Sequence, residues 1–362
     1  MTDVGHLAEL RGLERTVLTV TTPHHPTWLP VFPVAHLAEH LLGRELGRLP
    51  GLSALTGHLR RDLITVRFLT ATAGPAAFDV RQLVDLRETA RQDFEQERRV
   101  LAVEDAILPP PLRTAGRLPA SLAEFLDAWR RTEPRPRLER QPYLTDRLRE
   151  LVDPAAPPHP YGTTAPDPGP ADPRQEHAKA LAAVRRRTGG TPPELFLDGG
   201  PLEQYCGAGS VFLAGLSAYR SPLFRGLREG PRPLYTLKLF DFPWRRRTFI
   251  ACVTQPAIGP AEFAATLGAR TVGLIAGLDD ADLRTVLTEG RVAVLDDLTA
   301  VLDFPPRRAW LPVLARLNGF SARPADLARP VLDCTVDDLA RYRDTFLDAY
   351  ARHIHRTARE AV

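Results

Sequence analysis

Three residues in the stretch VAHLAEHLLGREL, residues 34–46, have the types and the spacing that metal-assisted hydrolysis needs. They are His36, Glu39 and His40, and the apolar spacing of the stretch predicts that they lie on a helix. Because positions four apart lie on one helix face, both imidazoles can point at the same spot, with the carboxylate beside it. Such a site needs three protein ligands, an open position for water and a carboxylate that takes the proton from that water. We therefore predict that His36 and His40 are metal ligands and that Glu39 is the general base.

The HxxEH pattern alone leaves a second interpretation open. In a chain with 10 histidines the pattern can arise by chance, and two histidines on one helix face can be solvated or hydrogen-bonded without a metal. A second feature favours the metal. Glu97 and Glu104, in the stretch FEQERRVLAVEDAI, are seven residues apart, or two helical turns, so they share one face of a predicted helix.

Together these two segments resemble the M16 peptidases, of the pitrilysin and mitochondrial-processing-peptidase type, and H-x-x-E-H is the inverzincin signature. AHLAEHLL, residues 35–42, is similar to the zinc-binding segment of that family, and ERRVLAVE, residues 97–104, is similar to its second motif. The resemblance implies that the cofactor is Zn²⁺, that Glu104 is the third zinc ligand, and that Glu97 is a carboxylate that orients a ligand or the water. It also implies a zinc-dependent endopeptidase that cleaves small peptides.

The resemblance continues into the second half of the chain. Two further passages are similar to the family: HPYG, residues 159–162, and AAVRRRTGGTPPELFLDGG, residues 182–200. SPLFRGLREGPRPLY, residues 221–235, is similar to a segment whose Arg/Tyr pair contacts substrate, and this role carries over to Arg228 and Tyr235. M16 units work as paired halves that enclose a chamber. The resemblance therefore implies a homodimer, or a heterodimer with another M16-like subunit, in which the Arg/Tyr pair of one subunit faces the zinc of the other.

The sequence predicts an α+β fold, and the resemblance implies two similar α/β-sandwich domains of the M16 type that form one half of a clamshell. The Pro- and Gly-rich stretch 153–173 is the natural linker. It separates an N-terminal domain over residues 1–175 from a C-terminal domain over residues 176–362. Strands are predicted at residues 16–22, 63–71, 194–198, 234–242, 247–255 and 272–278. Helices are predicted at residues 35–46, 80–108 (one helix or two in series), 121–131, 175–187, 217–229, 260–269 and 337–360.

Composition limits the partners and the compartment. The 362 residues are 44% hydrophobic and 25% charged with a net charge of +3, so neither nucleic acid nor a membrane is an expected partner. Three cysteines without a CxxC pair favour a reducing, cytoplasmic location, and we expect no signal peptide and no membrane span. Lys179 and Lys238 are the only lysines, which indicates a GC-rich bacterial genome. Trimming the leader of a ribosomally made peptide natural product is therefore our hypothesis for the role.

Other candidate residues have plainer interpretations. His24 and His25 lie in a proline-bounded loop and are either extra ligands or solvated side chains. His58 opens HLRRD, an HxxxD pattern found in acyltransferases that need no metal, but no hydrophobic strand is predicted before it. Cys206 has no His or acid paired with it in sequence, so we expect a small buried residue rather than a nucleophile.

Two functions from different classes remain. The first is an active zinc endopeptidase, and the alternative is a non-catalytic M16-like subunit or binding partner of an active peptidase. An inactive subunit has no chemical need for HxxEH together with the distant Glu104. The presence of the whole set therefore favours the active enzyme.

Overall fold

The computed structural model describes residues 10–22, 32–49, 51–60, 63–71, 79–107, 118–152, 173–187, 193–202, 206–229, 236–255 and 268–360. The chain divides into two units. The first contains Met1–Leu144 and Leu227–Tyr235, and the second contains Thr145–Gly226 and Thr236–Val362. Arg228, although distant in sequence, therefore belongs to the unit that holds the HxxEH motif.

The first unit contains an open, four-stranded antiparallel sheet in the order β2-β3-β1-β4. The strands are β1 (Leu13–Thr21), β2 (Leu52–Arg60), β3 (Leu63–Ala71) and β4 (Arg135–Pro142). Alternating residues of β1, among them Leu18 and Val20, are buried, as expected for a strand with one face on the core. β4 reads RPRLERQP and lies at the sheet edge, where prolines and charges are tolerated.

Helices of the first unit pack on this sheet or on one another. They are α1 (Phe32–Arg48), α2 (Val80–Asp85), α3 (Arg87–Ile107) and α4 (Leu122–Arg131). α1 contacts β2, β3 and α3, and its apolar residues Leu37 and Leu41 are fully buried. The predicted helical segment 80–108 forms two helices in series because Leu86 between them has a left-handed backbone conformation, with φ of 57°.

The second unit packs helices against a three-stranded antiparallel sheet in the order β5-β7-β6. Its strands are β5 (Leu195–Pro201), β6 (Thr236–Trp244) and β7 (Arg247–Gln255). Helices α5 (Asp146–Val152) and α6 (Pro173–Arg187) precede these strands. The helices between and after the strands are α7 (Ala208–Ser217), α8 (Pro222–Arg228, whose last two residues belong to the first unit), α9 (Ala269–Ala276), α10 (Asp280–Asp303), α11 (Pro305–Asn318), α12 (Pro324–Asp333) and α13 (Val336–Glu360). Phe196 and Phe249 stack with their ring centroids 5.1 Å apart where α6 covers the sheet.

The predicted α+β fold class is confirmed, because both units combine helices with an open sheet. The strand predicted at residues 272–278 is wrong, since this segment lies largely in helix α9. Its buried residues Thr271 and Ile275 are four apart, which is the helical period, and Gly277 is the C-terminal cap. A short apolar run such as VGLIAGL suits a buried helix as well as a strand.

Among the observed elements that the sequence patterns do not predict are β2, β4 and α7. β2 contains Gly57 and an irregular pairing after Ser53, β4 is proline-rich and charged, and α7 is apolar on most sides. The helix predicted at residues 217–229 begins only at Pro222, because proline suits the first turn of a helix. Most of the helix predicted at 260–269 lies outside the described residues.

Two expectations concern the cysteines and the membrane. All three cysteines, Cys206, Cys252 and Cys334, are buried free thiols. Among the described helices, none combines the length and the apolar character that crossing a bilayer requires.

Glycines allow α7 and α10 to touch through their backbones. A Cβ added at Gly290 of α10 would overlap the backbone carbonyl of Val211 in α7, and one added at Gly215 of α7 would overlap that of Val286 in α10. Because these obstacles are backbone atoms, the helices would have to separate to admit a methyl group. The second unit therefore depends on the absence of side chains at both positions.

We predict that Gly290→Ala lowers the free energy of unfolding by roughly 1–3 kcal/mol through overpacking. Gly273→Ala is the matched control, because a Cβ at this helical position meets no atom within 4 Å, and it should gain about 0.5–1 kcal/mol. Denaturant unfolding followed by circular dichroism measures both changes. Equal stability of the two variants would contradict the close approach of α7 and α10.

Candidate metal centre

Helix α1 presents the predicted ligands and base as one cluster. The rings of His36 and His40 have centroids 5.0 Å apart and are nearly perpendicular, at 87°. Oε2 of Glu39 is 3.7 Å from Nε2 of His40. Ligand atoms of the three side chains all lie within 4.8 Å of one another. The helical spacing of HxxEH thus produces the convergence that it predicts.

Helix α3 adds two carboxylates on different sides of His40. Oε2 of Glu104 is 3.2 Å from Nε2 of His36 and 3.8 Å from Nε2 of His40. Glu97 is fully buried, and its Oε2 is 3.0 Å from Nδ1 of His40. The structure therefore brings together the five residues that the motif and the resemblance assign to the metal centre.

Glu97 determines which ring nitrogen of His40 carries the proton. Burial by itself raises the pKa of Glu97, but the guanidinium of Arg228 and the hydrogen bond with His40 outweigh it and hold this pKa well below its ordinary value. An ionised carboxylate only accepts hydrogen bonds, so Nδ1–H of His40 donates to Glu97. Nε2 of His40 faces carboxylate oxygens of Glu39 and Glu104.

His36 is in the protonation state that a metal ligand needs. Burial, and then the electrostatic effects of nearby His40 and of the Arg228 guanidinium, lower the pKa of His36 to about 3. The ring is therefore neutral at physiological pH. A neutral imidazole is the form of histidine that binds metals.

These residues fit a zinc ion. Two imidazole nitrogens and a carboxylate oxygen form a ligand set that zinc enzymes use, and bonds of about 2.0–2.2 Å in a tetrahedron separate ligand atoms by about 3.3–3.6 Å. Oε2 of Glu104 is 3.2 Å from Nε2 of His36, just below this range, and 3.8 Å from Nε2 of His40, just above it. The carboxylates of Glu39 and Glu104 both face Nε2 of His40, and a cation among them would offset the repulsion between these two carboxylates.

Exposure distinguishes the two sides of the cluster. The side chains of His36, Glu39 and Glu104 are 13–14% exposed, whereas that of Glu97 is 0% exposed. The Nε2 side of His40 is therefore the more exposed side of the cluster, and the Nδ1 side is buried.

A glycine of β2 makes room for Glu39. A Cβ at Gly57 would overlap Oε1 of Glu39 and would lie 3.1 Å from its Cδ. One oxygen of the carboxylate therefore lies against the backbone of β2, while the other faces His40. The strand thus limits the orientations that Glu39 can adopt.

Two arginines hold Glu97. Nε of Arg44 donates to Oε1 at 2.5 Å, and a terminal nitrogen of Arg228 donates to Oε2 at 2.6 Å. Both arginines are buried. Arg228 also contacts His40, at 2.9 Å from Nδ1. The role that the resemblance implies for Arg228, a substrate contact opposite the zinc of a partner subunit, remains a prediction, and Tyr235 lies outside the described residues.

Sequence reasoning missed two residues of this centre. Arg44 follows His40 by four positions, the spacing that separates His36 from His40, so extending the same helix face by one turn would have found it. Gly57 gives no such signal, because its contact with Glu39 depends on which strand packs against α1.

The other candidate residues do not join the cluster. His24, His25 and the HPYG segment lie outside the described residues. His58 is exposed on β2, and the aspartate of its HxxxD pattern also lies outside them. Burial raises the pKa of Cys206 well above its ordinary value, so this residue is a protonated thiol, as expected of a buried small side chain.

Comparison with known proteins gives structural matches only. Neither the family models nor the curated protein sequences yield a match. A protease from Helicobacter pylori matches at 15% identity and a TM-score of 0.29, over 92% of this chain and 91% of its own. An inactive domain of peptidase M16 from Pseudomonas fluorescens matches at 12% identity and a TM-score of 0.29, over 93% of this chain and 90% of its own.

Pitrilysin matches at 12% identity and a TM-score of 0.26, over 91% of this chain, and the chain spans 39% of its length. The neighbours thus include M16 peptidases, but TM-scores this far under 0.5 do not establish a shared fold. The assignment of function therefore depends on the motifs and on the geometry of the cluster.

Proposed function

We propose that this protein is a zinc-dependent endopeptidase. The observation that carries the proposal is the convergence of His36, His40 and Glu104, which fit a zinc ion, with Glu39 beside them as an additional carboxylate. Two imidazoles, one carboxylate ligand and a separate basic carboxylate are the parts that metal-assisted hydrolysis requires.

Each residue of the cluster has a distinct role in this proposal. Nε2 of His36, Nε2 of His40 and the carboxylate of Glu104 would hold the ion. When bound, zinc would acidify a water molecule and polarise the scissile carbonyl. Glu39 would accept the proton of that water and return it to the departing amine. The orientation of Glu39 against β2 would limit the rotation of its carboxylate between these two transfers.

Glu104 rather than Glu39 is the proposed third ligand. A single oxygen of Glu104 lies near Nε2 of both histidines. Oε2 of Glu39 lies near His40, and its Oε1 lies against β2. In this proposal Glu104 would therefore share one ion with both rings, and Glu39 would act beside it as the base.

Several finer points remain part of the proposal. Peptides are the proposed substrates, and Tyr235 is still the candidate for contacting them. A dimer with a second M16-like subunit and a cytoplasmic location remain predictions from the resemblance and from composition. The leader-peptide role likewise remains a prediction. The two-domain division at residue 175 stays a prediction as well.

Replacing the base while keeping the ligands tests the proposal. We predict that Glu39→Gln binds as much zinc as the unchanged protein and cleaves a library of fluorogenic peptides about 10²–10⁴-fold more slowly, because general-base catalysis contributes on this scale. Metal analysis after gel filtration measures the first quantity, and initial cleavage rates measure the second.

Glu95→Gln is the matched control, because Glu95 is an exposed residue of α3 outside the cluster. It should leave both zinc content and cleavage unchanged. Zinc binding without cleavage by any of the three proteins would favour the non-catalytic subunit. Cleavage that survives both Glu39→Gln and removal of zinc by a chelator would overturn the proposed mechanism.

The contact between Gly57 and Glu39 gives a second prediction. Gly57→Ala should displace the Glu39 carboxylate, because a methyl group would occupy the place of its Oε1. We expect kcat to fall at least about tenfold, as for a misplaced catalytic group, while zinc affinity and KM change little. Steady-state kinetics on one fluorogenic peptide measures this. An unchanged kcat would show that Glu39 does not need its position against β2.

A further inference from the structure

We propose that Arg228 is a positioning residue for the zinc ligand His40 of its own chain, rather than a contact to the substrate. The proposal depends on the proposed metal centre and goes beyond the substrate-contact role that the resemblance implies. The contacts that support it are those among Arg228, Arg44 and Glu97 on the buried Nδ1 side of His40.

Hydrogen bonds fix Glu97 from three directions. Oε2 is 2.6 Å from a terminal nitrogen of Arg228 and 3.0 Å from Nδ1 of His40. Oε1 is 2.5 Å from Nε of Arg44. With donors on both oxygens, the carboxylate cannot rotate without losing a charged hydrogen bond. The same oxygen that orients the imidazole of His40 is thus held in place by Arg228.

Burial prevents Arg228 from reaching a substrate in this arrangement. Glu97 is 0% exposed and Arg228 is 5% exposed. To contact a peptide, the guanidinium would have to leave Glu97. The departure would leave a buried, ionised carboxylate with less compensating positive charge, which is unfavourable in a protein interior.

The segment that carries Arg228 is itself attached to the first unit. Nε2 of Gln96 donates to the backbone carbonyl of Arg228 at 2.6 Å, and a terminal nitrogen of Arg44 donates to Glu229 at 3.0 Å. These contacts bring a residue 131 positions from Glu97 in sequence to the back of the metal centre. The order of the centre therefore depends on the docking of this segment.

Zinc affinity distinguishes positioning from substrate contact. We expect Arg228→Met to weaken zinc binding about tenfold or more, as for other groups that orient metal ligands, with little change in KM. Arg44→Met should also weaken zinc binding. Arg228→Lys should bind zinc more tightly than Arg228→Met, because lysine keeps the positive charge. Competition with a chromophoric zinc chelator measures affinity without any peptide.

Arg225→Met is the matched control, since Arg225 is an exposed residue one turn earlier on α8. It should leave zinc affinity unchanged. Circular dichroism of the metal-free proteins shows whether each variant is folded. Should Arg228→Met not fold, Arg228→Lys and Arg44→Met decide the question. Unchanged zinc affinity in a folded Arg228 variant, with a raised KM, would overturn the proposal.

Mixing two variants, at a zinc concentration too low to load Arg228→Met, tests whether Arg228 acts within its own chain. Glu39→Gln supplies an intact Arg228, and Arg228→Met supplies an intact base. If Arg228 served the partner subunit, randomly mixed dimers would recover about a quarter of the normal active sites. We expect no recovery, and recovery to that level would overturn the proposal.

The outcomes separate this inference from the proposed function. Zinc binding that weakens in the Arg228 variants, in a protein that cleaves no peptide, supports the inference and overturns the peptidase proposal. A protein that binds no zinc at all overturns both.

Discussion

The metal centre depends on one buried, ionised carboxylate. Glu97 is 0% exposed, and it is held by Arg44 and Arg228 while it accepts the Nδ1–H of His40. Removing one partner of a buried ion pair typically costs roughly 3–5 kcal/mol, because the remaining charge stays buried. The carboxylate therefore joins the helix α1, the helix α3 and the segment at Arg228 into one arrangement. The orientation of the His40 ring follows from it.

From this carboxylate outward, helix geometry accounts for most of the site. His36, His40 and Arg44 recur every four residues on α1, and Glu97 and Glu104 are separated by two turns of α3. When these two faces pack together, the imidazole and guanidinium nitrogens of α1 meet the carboxylates of α3. Nδ1 of His40 turns to the buried side and its Nε2 to the open side. Strand β2 has a glycine, Gly57, where it lies against Glu39, and this leaves room for the carboxylate of the proposed base.

The sequence predicts the parts of this site that share one helix. The apolar periodicity of the sequence predicts α1, and the family resemblance pairs α1 with α3. Contacts that depend on packing between distant segments could not be predicted from the sequence. Arg228 is the main example, because no local pattern indicates whether its side chain contacts its own chain or a partner subunit. The fold shows the same limit. β1, β3 and β7 follow their apolar patterns and are predicted, whereas the edge strand β4 is proline-rich and is not predicted. The short apolar run at α9 suits a helix as well as a strand.

Anomalous diffraction from crystals grown with zinc tests the central claim most directly. Data collected on both sides of the zinc absorption edge should show one anomalous peak per chain. We predict that this peak lies about 2.0–2.2 Å from Nε2 of His36, Nε2 of His40 and an oxygen of Glu104, with Glu97 away from the metal and still bonded to Arg228. A zinc ion ligated by Glu39 in place of Glu104, or no peak at this cluster, would contradict the account.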